Sequence, residues 1–294
     1  MTAALAGTGP TIGDCLAATI ALLARAGVPE ARADAEVLCA HAFGTTRAGL
    51  VAGARDDAPA PARAALDALV ARRLAREPVH HLVGVREFWS LPFAVDARVL
   101  VPRPETELVV ETALAVAPGA PRIVDVGTGS GAIAVALARE LPDAAVWAID
   151  RSRDALAVAC GNVARHAPRV VLLAGDLTTA VGTASVDLVA ANLPYVPDGD
   201  VAGLAPEVRD HEPRAALAGG PDGLALVRAL VADAPRVLAP RGWLVLELGA
   251  GQAPAVVDAC SGIGWFDDVR VVRDVAGIER VVAARRKEGG WIRS

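Results

Sequence analysis

The pattern of apolar and polar residues divides the chain into a helical part and a part in which strands and helices alternate. Between Thr11 and Arg76, apolar residues recur at the spacing of amphipathic helices. This spacing predicts helices at Cys15–Ala26, Pro29–Ala42, Thr45–Ala52 and Pro61–Arg76. The last helix carries arginines that are expected to form a solvated face, namely Arg63, Arg72, Arg73 and Arg76. The residues before Thr11 are small and polar and are expected to fray.

The helical spacing ends at Val79. The segments His80–Gly84 and Glu87–Val95 are predicted to form two short strands around a turn. The adjacent histidines, His80 and His81, suggest a metal site. A zinc site needs more ligands than this segment offers, so ordinary packing of the two rings is the favoured interpretation.

A helix is predicted to begin near Pro104. Proline is well suited to the first helical position, and Glu105 and Glu107 are favoured in the first turn, where the helix dipole attracts negative charge. Arg103 lies just before this helix, where it could reach toward a bound ligand. A role at the surface or at the helix end is equally open for Arg103.

From Pro121 onward, short apolar runs alternate with helical patterns. Strands are predicted at Arg122–Val126, Ala145–Ile149, Val170–Leu173, Val186–Ala191, Trp243–Leu248, Phe266–Val272 and Ile278–Ala284. Helices are predicted at Ala132–Glu140, Arg153–His166, Leu224–Val237 and Ala253–Cys260. This alternation predicts an α/β fold with a parallel sheet that is covered on both faces and has an antiparallel edge.

Composition restricts the possible classes of function. The chain has 294 residues, is 53% hydrophobic and carries a formal net charge of -5, which argues against nucleic-acid binding through a strongly basic surface. No apolar run reaches membrane-spanning length and no secretory signal is visible, so we expect a cytoplasmic protein without a membrane partner. The cysteines are far apart and support neither a zinc site nor a disulfide framework: Cys15, Cys39, Cys160 and Cys260.

The run Val186–Ala191 ends abruptly in Asn192-Leu193-Pro194-Tyr195. Ligands bind at the carboxyl ends of the strands in an open α/β sheet. Asn192 offers a carbonyl oxygen and has no ionisable proton, Pro194 stiffens the turn, and Tyr195 adds a flat wall with a polar tip. This combination suits an incoming planar NH2 group. A simple strand-end turn with a capping asparagine is the alternative.

A glycine-rich loop, Asp125–Ala132, follows the first strand of this region and opens a helix. Gly127, Gly129 and Gly131 permit a tight turn and a close approach of the backbone to a ligand. Asp150 ends the next strand about 20 residues further on, where a carboxylate can bind both hydroxyls of a ribose. The arrangement predicts a nucleoside-binding site.

Two classes of cofactor fit this loop. Gly127, Gly129 and Ala132 also satisfy the dinucleotide pattern, in which a pyrophosphate lies at the helix N-terminus. Asp125 would lie poorly beside a pyrophosphate and suits a cationic ligand better. Asp176 follows the third strand, where it can meet the edge of an adenine or cap a turn. Together the two aspartates favour S-adenosylmethionine and methyl transfer.

These motifs resemble the HemK/PrmC family, the glutamine-N5 methyltransferases that modify peptide-chain release factors. The resemblance covers nearly the whole chain. It rests on Gly84–Pro92, Leu100–Glu107, Asp125–Gly131, Asp150, Gly175-Asp176, Glu212-Pro213, Ala216-Leu217, Gly219-Gly220, Asp222-Gly223-Leu224, Glu247, Gly249 and Gln252. It implies a class I S-adenosylmethionine-dependent methyltransferase, Rossmann-like with a seven-stranded, mostly parallel sheet. The expected parts are a helical substrate-recognition domain (1–78), a β-hairpin linker (79–102), the catalytic domain (103–286) and a flexible tail (287–294).

The resemblance also implies roles for particular residues. Catalysis is assigned to Asn192, Pro194 and Tyr195, and substrate binding to Asn192, Leu193, Pro194 and Tyr195. Binding of S-adenosylmethionine is assigned to Asp125, Gly127, Thr128, Gly129, Ser130, Gly131, Asp150, Asp176, Leu177 and Asn192. No metal is implied, and the implied partners are class I release factors.

Leu193 is a departure from the family, whose loop usually reads Asn-Pro-Pro-Tyr. In the family, the Asn side chain and the backbone carbonyl after it accept hydrogen bonds from the substrate amide. Leu193 keeps that carbonyl but adds an N–H donor and loses rigidity, which affects substrate fit and rate more than reaction type. No general base is required before transfer, in keeping with a loop that lacks His, Glu and Lys.

Three other functions stay open at this point. A methyltransferase for the adenine amino group of nucleic acid would need the same acceptors, although the net charge weighs against it. A methyltransferase for a small-molecule amine or amide would keep the fold, and Leu193 leaves room for it. A cofactor-binding protein without turnover is disfavoured by the intact Asn192, Pro194 and Tyr195.

Overall fold

The structure, a computed structural model, describes residues 9–289. The expected fraying of residues 1–8 and most of the expected tail, 290–294, lie outside the described residues. The chain divides into two compact units. The first consists of the chain up to Gly84 together with Pro206–His211, and the second consists of Val85–Ala205 together with the chain from Glu212 onward. The boundaries expected from the sequence stay predictions.

The first unit is helical, as predicted. Its helices are α1 (Ile12–Arg25), α2 (Ala31–Ala42), α3 (Arg47–Ala52), α4 (Ala60–Leu74) and α5 (Val79–Val83). The start of α1 is fixed by a capping box, in which the Thr11 hydroxyl accepts from the Asp14 N–H and the Asp14 carboxylate accepts from the Thr11 N–H. The apolar faces of these helices enclose a core around Leu23, Leu38 and Leu50.

The prediction of a strand at His80–Gly84 was wrong, because these residues belong to α5 and its cap. Pro78 precedes the helix with φ -58° and fixes its entry, and Gly84 ends it in the left-handed conformation with φ 71°. Leu82 packs into the helical core. The hairpin consists of β1 (Val85–Phe88), which begins two residues before the second predicted segment, and β2 (Leu91–Ala94), which lies within that segment.

Arg73 corrects the prediction of a solvated arginine face. Its side chain is buried, its Nε donates to Asp34 Oδ2 at 2.7 Å, and its Nη2 donates to Glu207 Oε1 at 2.7 Å. Arg76 Nη2 donates to the other oxygen of Glu207 at 2.9 Å. Charges that are removed from water need such partners. The arginines at the end of α4 therefore hold the segment Pro206–His211 within the first unit.

The second unit contains the seven-stranded sheet, and this part of the fold prediction is confirmed. The strands are β3 (Arg122–Val126), β4 (Ala145–Asp150), β5 (Val171–Ala174), β6 (Val186–Ala191), β7 (Leu238–Glu247), β8 (Phe266–Arg273) and β9 (Glu279–Arg286). Their order in the sheet is β5-β4-β3-β6-β7-β9-β8. The first five are parallel, and β9 is antiparallel to both β7 and β8.

The helices of the second unit cover both faces of the sheet. They are α6 (Glu107–Val116), α7 (Ala132–Glu140), α8 (Arg153–His166), α10 (Ala225–Val237) and α11 (Ala253–Gly262), while the short α9 (Pro206–Arg209) belongs to the first unit. One apolar cluster joins the sheet to α6 and α7, and a second joins it to α10 and α11. Within residues 9–289, no helix has the length and apolar character to span a bilayer.

The strands β3 to β9 and the helices α7, α8, α10 and α11 begin and end within two residues of their predicted bounds, with one exception. β7 begins five residues before the predicted Trp243, because the polar stretch that contains Arg241 and Gly242 hides the start of the strand from an apolar pattern. Lys287 is tied to the fold, since its N–H donates to the Trp265 carbonyl at 2.9 Å and its Nζ donates to the Gly264 carbonyl.

Substitution of Arg73 by Met should destabilise the protein strongly. The change leaves the carboxylates of Asp34 and Glu207 buried without their main partner, which costs about 3 kcal/mol of unfolding free energy. Urea unfolding followed by circular dichroism measures the loss. The control is Arg228→Ala, which removes a half-exposed ion pair with Asp222 and should leave the unfolding midpoint unchanged. Equal effects of the two substitutions would contradict this assignment.

Candidate active site

A cleft of about 1050 Å³, open to solvent, lies at the carboxyl ends of β3, β4 and β6. The chain connections diverge from β3 to strands on its two sides, which is the position where open α/β sheets bind ligands. The cleft brings together ten of the residues singled out from the sequence: Gly127, Thr128, Gly129, Ser130, Asp150, Asp176, Leu177, Asn192, Leu193 and Pro194. It does not have Asp125, Gly131 or Tyr195 in its wall.

The glycine loop is tied to the end of β4 by hydrogen bonds. The N–H groups of Gly127 and Thr128 both donate to the Ile149 carbonyl, at 2.8 and 3.0 Å, and the Gly129 N–H donates to Asp150 Oδ2 at 2.9 Å. Gly127 has φ 75°, and a Cβ at this position would lie 2.9 Å from Leu193 Cδ2. A larger residue at position 127 is therefore both strained and crowded.

Asp150 keeps free hydrogen-bonding capacity toward the cleft. Its Oδ2 accepts from Gly129 and its Oδ1 accepts from the Ser152 N–H at 2.8 Å. An ionised carboxylate has about four acceptor positions, so two remain for a diol. The Gly175 N–H donates to the Asp150 carbonyl at 3.1 Å, which brings the following Asp176 to the wall of the cleft.

Asp125 lies beneath the glycine loop, which removes the reason for linking it to a cationic ligand. Its side chain is fully buried, and Oδ2 accepts from the Thr128 hydroxyl at 2.5 Å and from the Ala134 N–H at 3.1 Å. Oδ1 has no hydrogen-bond partner among residues 9–289. Burial raises the pKa of Asp125 to about 7, although both hydrogen bonds act in the opposite direction. Asp125 thus supports the loop from inside.

Asn192 is held in one orientation at the end of β6. Its Nδ2 donates to the Thr106 hydroxyl oxygen at 3.1 Å. Both residues line the cleft. An amide that donates through its nitrogen on one side presents its carbonyl oxygen on the other. Leu193 follows with its side chain buried in the apolar cluster that also contains Val126 and Ile149. The core thus accommodates a leucine at this position of the turn.

The backbone of the Asn192–Tyr195 turn is braced by two segments that the sequence marked only by resemblance. The Tyr195 carbonyl accepts from Gln252 Nε2 at 2.9 Å, and the Gln252 side-chain oxygen accepts from the Gly249 N–H at 2.9 Å. A Cβ at Gly223 would clash with the same carbonyl. The Leu193 carbonyl, in contrast, has no hydrogen bond recorded within the described part of the chain.

The second unit also contains two buried carboxyl groups, Glu212 and Glu247. Glu212 holds Arg103, whose Nη2 lies 2.8 and 2.7 Å from its two oxygens, so Arg103 is engaged in an ion pair. Glu247, at the end of β7, is 2% exposed, and its burial raises its pKa to about 7. Burial, together with the Glu247 carboxylate, raises the pKa of the half-buried Tyr195 to about 12. Tyr195 therefore stays neutral.

Three residues of this site were not identified when the sequence was interpreted residue by residue: Thr106, Glu247 and Gln252. Glu247 ends an apolar strand, and Thr106 and Gln252 lie at the starts of helices. These positions were the available signal, since a polar side chain at the end of a buried strand or at a helix start faces the ligand edge of the sheet. Among residues 9–289, no group of three His, Cys, Asp or Glu side chains is arranged to hold a metal ion.

The sheet order and the glycine loop define a Rossmann-like methyltransferase fold. A family model described as methyltransferase small domain matches residues 105–206, and one described as PrmC N-terminal domain matches residues 14–84. A methyltransferase from Pyrococcus furiosus has a similar fold, with a TM-score of 0.51 and 16% identity over 75% of this chain and 98% of that one.

Curated relatives identify the family more narrowly. The release factor glutamine methyltransferase of Geobacter sulfurreducens is 45% identical over 275 residues, which are 94% of this chain and 96% of the relative. The protein of the same name from Caulobacter vibrioides is 42% identical over 87% of this chain and 90% of the relative. The chain belongs to the release factor glutamine methyltransferase family.

Asp125→Asn should flatten the pH dependence of stability. Because burial raises the pKa of Asp125 from 3.8 to about 7, the folded protein keeps a proton that the unfolded chain releases. Its contribution to stability is fully present below pH 3.8 and is lost as the pH rises through 7. Urea unfolding from about pH 5 to 8 measures the slope.

The pKa of Glu247 is also about 7, so the slope should shrink without vanishing. Asp143→Asn controls for the loss of one exposed carboxyl group. Wild-type and Asp125→Asn curves that run parallel over this range would show that Asp125 does not keep its proton in the folded protein.

Proposed function

We propose that the protein transfers a methyl group from S-adenosylmethionine to the side-chain amide nitrogen (N5) of the glutamine in the Gly-Gly-Gln loop of class I peptide-chain release factors. The proposal rests on two hydrogen-bond acceptors at the end of β6, the side-chain oxygen of Asn192 and the carbonyl of Leu193. Asn192 is fixed through its nitrogen, so its oxygen is free, and the adjacent Leu193 carbonyl has no recorded partner within residues 9–289. Relatives named release factor glutamine methyltransferase support the choice of substrate.

The donors of the glycine loop support S-adenosylmethionine over a dinucleotide. The N–H groups of Gly127, Thr128, Gly129 and Gly131 all donate to protein oxygens, so few are left for a pyrophosphate. Asp150 has acceptor capacity for the ribose hydroxyls, and Asp176 and Leu177 lie in the same wall. S-adenosylmethionine, when bound, supplies a methyl group on a positively charged sulfur.

The two acceptors address the chemical difficulty of the reaction. An amide nitrogen is a weak nucleophile because its lone pair is delocalised into the carbonyl group. Asn192 Oδ1 and the Leu193 carbonyl would each accept one N–H bond of the glutamine amide and so fix the direction of the nitrogen. The same oxygens stabilise the positive charge that develops on the nitrogen during transfer. Its extra proton leaves afterwards, so no base is needed beforehand.

The helical unit is the part that we assign to partner recognition. Its match to the PrmC N-terminal domain and its lack of a recognised catalytic constellation support this role. Because translation termination takes place in the cytoplasm, the proposed substrate also implies a cytoplasmic location. No stable binding to nucleic acid or to a membrane is part of the proposed function.

Transfer of labelled methyl groups tests the proposal. The purified protein is incubated with methyl-labelled S-adenosylmethionine and a release factor, either wild type or with the loop glutamine replaced. Label on the wild-type factor alone is the expected result. Label on both factors would place the methyl group elsewhere. Label on neither, with intact cofactor binding, would favour a small-molecule amine or amide as the substrate.

Asn192→Ala should lower the turnover of release-factor methylation by at least about 100-fold, because it removes one of the two acceptors of the developing charge. The dissociation constant for S-adenosylhomocysteine should change by less than about threefold, since the glycine loop and Asp150 are untouched. Calorimetry and the transfer assay measure the two effects separately. Wild-type turnover in this variant would contradict the role of Asn192.

A further inference from the structure

We propose that Thr106 is a positioning residue for methyl transfer, and that it can act in this way because Glu247 orients its hydroxyl group. The Thr106 hydroxyl selects the orientation of the Asn192 amide, and the Glu247 carboxyl group behind it selects the direction of the hydroxyl. This inference rests on the proposed function, in which the oxygen of Asn192 accepts from the substrate amide. It gives a role to two buried polar residues, Thr106 and Glu247, that take no direct part in the methyl transfer.

The geometry brings three distant segments together. Thr106 ends the single helical turn Pro104–Thr106 that leads into α6, and its side chain is 4% exposed. Its hydroxyl oxygen lies 3.1 Å from Asn192 Nδ2. Glu247 lies at the end of β7, where burial raises its pKa and hydrogen bonding with Thr106 and with Tyr195 acts in the opposite direction.

The orientation of the Asn192 amide decides whether the site can work. The carbonyl and NH2 ends of an amide have nearly the same size but opposite hydrogen-bonding character. With the oxygen toward the cleft, the side chain accepts from the glutamine NH2 group. With the nitrogen toward the cleft, two donors face each other and the substrate amide is repelled.

Thr106 alone cannot make this choice, because a hydroxyl group both donates and accepts. It could give its proton to Asn192 Oδ1 and so turn the NH2 group toward the cleft. An acceptor on the far side of the hydroxyl prevents this, since a threonine has only one hydroxyl proton.

Glu247 supplies that acceptor. A carboxylate accepts only, and even a protonated carboxyl group keeps a carbonyl oxygen that accepts. Its Oε2 has no hydrogen-bond partner within the described chain, so the group has room for a donor although Tyr195 also lies near it. With the Thr106 proton directed to Glu247, a lone pair of the hydroxyl faces Asn192, which must then donate through Nδ2. The Asn192 oxygen is left for the substrate.

Three variants separate positioning from simple packing. Thr106→Val keeps the shape and loses the hydroxyl, Thr106→Ser keeps the hydroxyl, and Glu247→Gln keeps the size but adds a donor. Turnover should fall about tenfold to a hundredfold in Thr106→Val and stay near wild type in Thr106→Ser. Glu247→Gln should fall less than Thr106→Val. The dissociation constant for S-adenosylhomocysteine should stay near wild type in all three.

The double variant tests whether Glu247 acts through Thr106. Thr106→Val combined with Glu247→Gln should be no slower than Thr106→Val alone, because the relay is already broken. Independent, multiplying losses would overturn the proposal. So would equal losses in Thr106→Val and Thr106→Ser, or a loss of S-adenosylhomocysteine affinity that accounts for the lower turnover.

A second measurement does not depend on the release factor. The side-chain NH2 signal of Asn192, assigned by its disappearance in Asn192→Ala, should be protected from exchange in wild type and Thr106→Ser and unprotected in Thr106→Val. Equal protection in Thr106→Val would overturn the positioning role. If wild type labels no release factor while the protection pattern holds, the proposed substrate fails and the Thr106–Asn192 relation survives.

Discussion

The turn after β6 places acceptor oxygens beside the cleft and is held there by hydrogen bonds to other segments of the second unit. A buried or half-buried turn cannot leave donors and acceptors unpaired without cost, so free acceptors are informative. The Tyr195 carbonyl accepts a hydrogen bond from the Gln252 side chain, and the side-chain nitrogen of Asn192 donates one to the Thr106 hydroxyl. The side-chain oxygen of Asn192 and the carbonyl of Leu193 are among the acceptors of the turn that have no hydrogen bond within residues 9–289. The rest of the second unit can be understood as the structure that fixes these two atoms beside the cleft.

Buried carboxyl groups recur beneath the surfaces that face the cleft. Asp125 holds the glycine loop from inside, and Glu247 lies behind the pair formed by Thr106 and Asn192. Burial raises the pKa of both carboxyl groups to about 7, so each costs stability near neutral pH. Buried polar groups that stabilise little are consistent with a role in fixing the geometry of a site. The loop and the turn gain a defined orientation from them.

Sequence patterns predicted what depends on nearby residues. The strand Arg122–Val126 and the helix that follows the glycine loop match their predicted bounds, because apolar runs and glycines act over a few residues. Contacts between distant segments were not predictable in this way. Arg73 is buried by Glu207, 134 residues away, and Thr106 meets Asn192 across 86 residues. The inward direction of Asp125 was missed too, since its place beside the loop does not show which way the side chain points.

The central claim is that two oxygens of the turn after β6 hold the substrate amide. A crystal structure with S-adenosylhomocysteine and a peptide that contains Gly-Gly-Gln tests it most directly. We expect the glutamine amide nitrogen to lie about 3 Å from both Asn192 Oδ1 and the Leu193 carbonyl oxygen, with Asn192 Nδ2 still hydrogen-bonded to Thr106. A glutamine amide bound to other groups, or an Asn192 side chain turned with its nitrogen toward the peptide, would contradict the account.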